Sequence, residues 1–427
     1  MLIKKLTRKY FPLFLVLLLM AGCAESAPKT SETAAPSSEA AEESSEAAAE
    51  TESAAETSAP EEAESIPETS APEQSSRDDT FRGIWLAYDE YAALGLSTLT
   101  GKAICRDNAD RFLEEAEKYG INTIFLHARA FDDAFWPSSS FHATKYLGAD
   151  ERLTAAEACE KTDPFGIFLE EAHKHGMEVH AWLNPYRIDR DYYYDPGEEA
   201  STERVLLAVQ ELLDYESNGE KVDGIHMDDY FYHALKGYYK PGDLSHPYAI
   251  VDSEENKPAE GDYHVVTAKE KRDHVNAMVK KVFALVHEHG RTFGISPAGN
   301  YDNDMKDGVD IDTWLTEEGY LDYIIPQIYW SNQWGEDGNV TMFTDRLDQF
   351  LGKRKNSARF YVGLALYRTD IANANNDPGW DLKHTNLSEQ IAELTEKGAD
   401  GYVLFSAQYL YRKCAAEELK LLRNAQN

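Results

Sequence analysis

The sequence predicts an α/β fold, a (β/α)8 TIM barrel, preceded by a disordered tether. Three observations carry this. Eight short apolar runs recur from residue 83 onward, amphipathic helical patterns alternate with them, and glycine closes several of those patterns. The apolar runs are 83–89, 122–129, 178–186, 224–230, 292–297, 323–330, 360–367 and 401–407. Short apolar runs bounded by turn residues read as buried strands.

The helical patterns are 104–119, 165–175, 203–216, 268–289, 311–318, 344–351, 387–397 and 414–424. Gly120, Gly176, Gly290, Gly319 and Gly398 follow five of them, the expected C-cap position. Strict β-α alternation implies a parallel sheet, and eight units close a barrel. A doubly wound open sheet is the alternative, but no Gly-rich phosphate loop follows the first strand.

The N-terminus has a different character. Lys4, Lys5, Arg8 and Lys9 precede an apolar stretch from Phe11 to Met20, too short for a comfortable membrane span. The run Met20-Ala21-Gly22-Cys23 resembles a lipobox, which predicts a lipoprotein signal peptide over 1–22 and lipidation at Cys23. Residues 23–79 are rich in Ala, Glu, Ser, Thr and Pro and nearly free of large apolar side chains. Such a composition buries too little surface to offset chain entropy, so a disordered linker is expected. As a flexible coil it reaches roughly 40 Å on average. The expected address is extracytoplasmic, anchored to a membrane at the bacterial cell envelope.

Residues 80–427 are long enough for one barrel with long loops. The formal net charge of −34 argues against nucleic acid or anionic lipid as a partner. Cys105, Cys159 and Cys414 match no metal motif, and an odd number is no disulfide framework. No metal or other cofactor is expected, and a monomer is.

A barrel of this kind holds its site at the C-terminal ends of its strands. The loops after strands two and four, 130–164 and 231–267, are long and lie on that side. Strand alternation sorts the polar residues there. His226, Asp228 and Tyr230 share one face of strand four, opposite Ile225 and Met227. The same reading points His180, Trp182, Asn184 and Tyr186 inward on strand three, and Gln327 and Tyr329 on strand six.

Inward carboxylates beside aromatic residues suggest glycosidic cleavage, which needs a proton donor and usually a second carboxylate. Asp228 and Asp229 are the candidate catalytic pair, adjacent at a strand end. Arg129, Asn184, Tyr186, His226, Tyr230, Gln327, Tyr329, Trp330 and Tyr367 are the candidate substrate-binding residues. His226 and Asp228 at i, i+2 raise metal binding as a competitor, but no HExxH motif or clustered third ligand accompanies them.

Six motifs then resemble one family. They are Phe81-Arg82-Gly83-Ile84-Trp85-Leu86, Glu170-Glu171-Ala172-His173, the run from Val179 to Arg187, the run from Asp223 to Tyr230, Phe293-Gly294-Ile295-Ser296-Pro297, and Pro326-Gln327-Ile328-Tyr329-Trp330. In this order they resemble the glycosyl hydrolase-like 10 family, also called DUF187. The resemblance implies a (β/α)8 barrel in an exported protein or lipoprotein. It also implies, for some members, cleavage of peptidoglycan glycan strands that have lost their stem peptides.

Strand four further resembles a chitinase-type signature, in which a Glu is the proton donor. Tyr230 stands at that position here. The donor then falls to Asp228, Asp229 or another loop, with Asp302 and Asp304 as candidates. An N-acetyl group of the substrate acting as nucleophile is one solution to the missing carboxylate. A carbohydrate-binding lipoprotein without catalysis is the alternative function.

Overall fold

The computed structural model describes residues 80–233, 236–370 and 377–425. The expected signal peptide, Cys23 and linker lie outside them. Eight parallel strands form the barrel: β1 (Phe81–Leu86), β2 (Thr123–Arg129), β3 (Glu178–Leu183), β4 (Gly224–Asp228), β5 (Thr292–Ser296), β6 (Tyr323–Ile324), β7 (Arg359–Leu364) and β8 (Gly401–Phe405). Each pairs with its neighbours in chain order, and β8 pairs with β1 to close the ring.

The helices bury one stripe each against this ring. In Lys102–Glu117 the buried residues are Cys105, Ala109, Phe112, Leu113 and Ala116, the spacing of one helical face. Ala268–Glu288 begins in a capping box between Thr267 and Glu270. Pro164–Lys174 begins with the Asp163 side chain accepting from Gly166 N. The five expected C-cap glycines all have positive φ, between 65° and 87°.

Strand alternation holds within the barrel. Ile225 and Met227 of β4 pack into the outer core. Trp85, Phe125, Trp182, Tyr323 and Tyr361 fill the interior. Glycines make room for these rings: a Cβ at Gly294 would lie 2.1 Å from the Tyr323 ring, and one at Gly224 would lie 2.5 Å from His180 Nδ1.

Two elements are shorter than their sequence patterns. The run 323–330 is a strand only over Tyr323–Ile324, because Pro326 has no N–H and the chain turns there. The pattern 311–318 is a helix only over Ile311–Trp314. The two long loops are not bare connections. In 231–267 the segments Gly237–Lys240, Asp243–Val251 and Asp262–Val265 form a sheet, and Tyr192–Tyr194 from the loop after β3 joins its edge. The loop after β2 carries a small sheet of Asp133–Ala134 and His142–Ala143.

Candidate active site

The floor of the barrel mouth is aromatic and buried. Trp85 Nε1 donates to His226 Nε2 at 3.2 Å. The Tyr323 hydroxyl hydrogen-bonds His180 Nδ1 at 2.7 Å and reaches His226 Nδ1 at 3.4 Å. His127 stacks on Trp182 at 3.8 Å. Burial, then the neighbouring His180 and His127, holds His226 well below the usual imidazole range, so it is neutral. It has no exposed surface and both its nitrogens are engaged. The expectation that it binds substrate is therefore corrected: His226 supports the floor.

Asp228 stands above this floor at the end of β4 and is 8% exposed. Its Oδ1 accepts from Gln327 Nε2 at 2.8 Å and from Asp229 N at 3.0 Å. Gln327 Nε2 also donates to Ser296 O at 3.1 Å, which ties the ends of β4, β5 and β6 together. The Asp228 and Asp229 side chains hydrogen-bond each other. Burial pushes both carboxyls up. Asp229, which also faces the charge of Asp228, rises well above the ordinary carboxylate range. Two buried carboxyls in contact resist double ionisation, so the pair keeps a proton when isolated carboxyls have lost theirs.

Asp304 lies behind this pair. It is fully buried, its Oδ1 accepts from Ala298 N at 3.0 Å, and burial followed by the charge of Asp229 pushes it up strongly. That environment closes Asp304 to a substrate. Asp302 is exposed in the first turn of Tyr301–Lys306.

Aromatic groups flank the pair on two sides. Tyr329 packs on Phe405 and Tyr367 with ring centroids 5.8 and 5.7 Å apart. Tyr329 follows two residues after Gln327, whose amide holds Asp228. On the other side Tyr230 lies under Arg187, 4.4 Å from ring centre to guanidinium. Trp330 is half-buried beside Arg346 of the helix Met342–Leu351, at 5.9 Å.

Three further expected ligands are not in the mouth. Arg129 is buried, with Nη1 donating to Asn184 O and Pro185 O and Nη2 paired to Asp132 at 2.8 Å. The pairing of β2 with β3 slips between His127 and Arg129, and that bulge interrupts the strand alternation just before Arg129. Asn184 is buried and donates to Ala130 O at 2.8 Å, clasping the two loop starts. Tyr186 is buried in the outer core. β3 ends at Leu183, so alternation does not reach Asn184 or Tyr186.

Two residues at this end escaped the sequence reading. Glu90 follows β1 and accepts from Ala87 N at 2.8 Å, from Gln408 N at 3.0 Å and from Ser406, locking the β1 end to the β8 end. Burial pushes its carboxyl up to about 7. Arg187 lies past the end of β3, where the strand period no longer assigns a face. Among the described residues no group of three or more His, Cys, Asp or Glu side chains is arranged to hold a metal ion.

The Glycosyl hydrolase YngK of Bacillus subtilis (strain 168) is 27% identical to this chain, over 72% of the chain and 64% of the relative. The chain thus spans less than two thirds of that relative. The Glycosyl hydrolase DigH of Escherichia coli (strain K12) is 25% identical over 80% of this chain and 86% of the relative. The endo-1,4-beta-mannanase structure from Rhizomucor miehei aligns with TM-score 0.48 at 11% identity, over 82% of this chain and 96% of that one. Residues 188–382, which carry Asp228, Asp229 and Gln327, match the model described as Glycosyl hydrolase-like 10.

Proposed function

We propose that this protein is a glycoside hydrolase of an N-acetylated cell-envelope polysaccharide, with peptidoglycan glycan strands as its substrate. The observation that carries the reading is the adjacent Asp228–Asp229 pair at the barrel mouth, its carboxyls pushed up by burial, with aromatic rings on both sides. Gln327 and Asp229 N occupy Asp228 Oδ1, so proton transfer falls to the remaining carboxyl oxygens of the pair. In the proposed reaction Asp228, backed by Asp229, protonates the leaving oxygen. The carbonyl oxygen of the substrate's acetamido group attacks the anomeric carbon and forms an oxazolinium ion. Water then opens that ion and returns a proton to the pair. This route needs no second protein nucleophile, in keeping with Tyr230 at the position where a chitinase-type Glu would stand.

The basic and apolar N-terminus and Cys23 support export and a lipid anchor, with residues 23–79 as spacer to the wall. The test is release of oligosaccharides by the purified protein from peptidoglycan strands stripped of peptides, with Asp228→Asn and Asp229→Asn alongside. Wild-type release that is lost in Asp228→Asn and blocked by an oxazoline-mimicking thiazoline supports the reading. Release that both variants retain overturns the site. Binding without release by the wild type identifies a carbohydrate-binding protein instead.

A further inference from the structure

Arg187 differs from Arg129, Arg204 and Arg106, which are paired with carboxylates. Arg129 and Arg204 share Asp132, and Arg106 pairs with Glu170 and Glu171. Arg187 is half-buried, and its Nε donates to Asp189 O at 3.2 Å. Among the described residues neither of its terminal nitrogens has a hydrogen-bond acceptor, and no carboxylate lies within ion-pair distance. The guanidinium instead stacks over the rings of Phe131 at 4.7 Å and Tyr230 at 4.4 Å. Stacking engages the flat faces of a guanidinium and leaves its in-plane N–H bonds for a planar acceptor.

The backbone holds this group in place. Arg187 bridges Tyr193, Ile188 N donates to Tyr192 O at 3.0 Å, and Tyr194 N donates to Tyr186 O at 2.8 Å. Tyr192–Tyr194 is in turn an edge of the loop sheet. The site is thus pre-organised rather than a loose surface arginine. In a chain with 76 acidic residues, leaving a recessed cation without a carboxylate costs solvation that a bound anion would return. Asp228 is near enough to influence Arg187 and be influenced by it, yet does not pair with it. The negative field of the Asp pair favours a monoanion over a phosphate dianion.

We infer that Arg187 is a specificity residue that binds a free carboxylate on the sugar beside the scissile bond, so that the mouth selects an acidic glycan over a neutral one. The inference rests on the glycosidase reading above and deepens it. In peptidoglycan strands the carboxylate is the lactyl group, free only where no peptide is attached.

The probes are peptide-free peptidoglycan strands and the same strands with their carboxylates converted to methylamides by carbodiimide coupling. The full chain and its Arg187→Gln and Arg187→Lys variants are compared on both. A charged hydrogen-bond pair contributes enough to predict about a tenfold or greater wild-type preference in kcat/KM for the free carboxylate, expressed mainly in KM. Arg187→Gln collapses that preference and Arg187→Lys restores part of it. A merely structural role lowers both substrates in proportion and overturns the inference, as does equal wild-type cleavage of both.

If the wild type cleaves neither strand, the glycosidase reading fails, and calorimetric binding of both probes still decides the role of Arg187. Carboxylate-dependent binding that Arg187→Gln loses supports it. Equal binding of both probes overturns it.

Discussion

Gln327 reaches from the end of the barrel's sixth strand to Asp228 at the end of the fourth, its Nε2 donating to Oδ1 at 2.8 Å. A donor on that oxygen fixes the carboxyl's rotation. Gln327→Ala removes one hydrogen bond to an ionisable group. It is expected to lower kcat by roughly tenfold to a hundredfold with little change in fold. Steady-state rates and a circular dichroism melt check it. A variant with wild-type kcat would show that Gln327 does not position Asp228.

Asp229 raises the proton affinity of the pair, so Asp229→Asn is expected to alter the pH profile as well as the rate. The variant removes the more strongly raised carboxyl of the pair, so the alkaline limb of kcat/KM is expected to move toward acid. A limb that stays in place, measured across pH 4 to 9, would remove Asp229 from the titrating unit.

His173 of the Glu170-Glu171-Ala172-His173 motif is part of a structural ion network, not of the mouth. It hydrogen-bonds Asp223 at 3.0 Å and Glu220, and those carboxylates raise it from 6.5 to about 8. A raised imidazole stabilises the fold fully below its unfolded pKa. That contribution is lost as pH rises from about 6.5 through 8. Denaturant unfolding at pH 6 and pH 9 is expected to show a wild-type loss that His173→Gln lacks.

Gly294 lies beside Tyr323 inside the barrel, where an added Cβ would fall 2.1 Å from the ring. Gly294→Ala must displace Tyr323, and with it the hydrogen bonds to His180 and His226. The expected cost is about 1–3 kcal/mol, read as a lower denaturation midpoint. An unchanged midpoint would show that the interior has slack at this level.

Much of this was legible in the chain because strand geometry is periodic. The eight apolar runs all became barrel strands, and alternation on β4 correctly separated Ile225 and Met227 from His226 and Asp228. The misreadings have local causes. Arg129 sits past a bulge, and Asn184 and Tyr186 lie beyond the last paired residue of β3. His226 was correctly assigned to the interior, but its access depends on Trp85 and Tyr323, which come from strands 141 and 97 residues away.

The sequence by itself determined the alternation of strand and helix, the turn glycines that separate them, and the inward face that carries Asp228. These follow from periodicity and backbone preference, which act over a few residues. Only the tertiary structure decided that Asp228 shares a hydrogen bond with Asp229, that Asp304 stands closed behind them, and that Arg187 stacks between loops with its N–H edge unpaired. Those outcomes depend on burial and on partners from distant segments. Proton affinity and access are set by that surrounding charge and packing, not by the residue's neighbours in the chain.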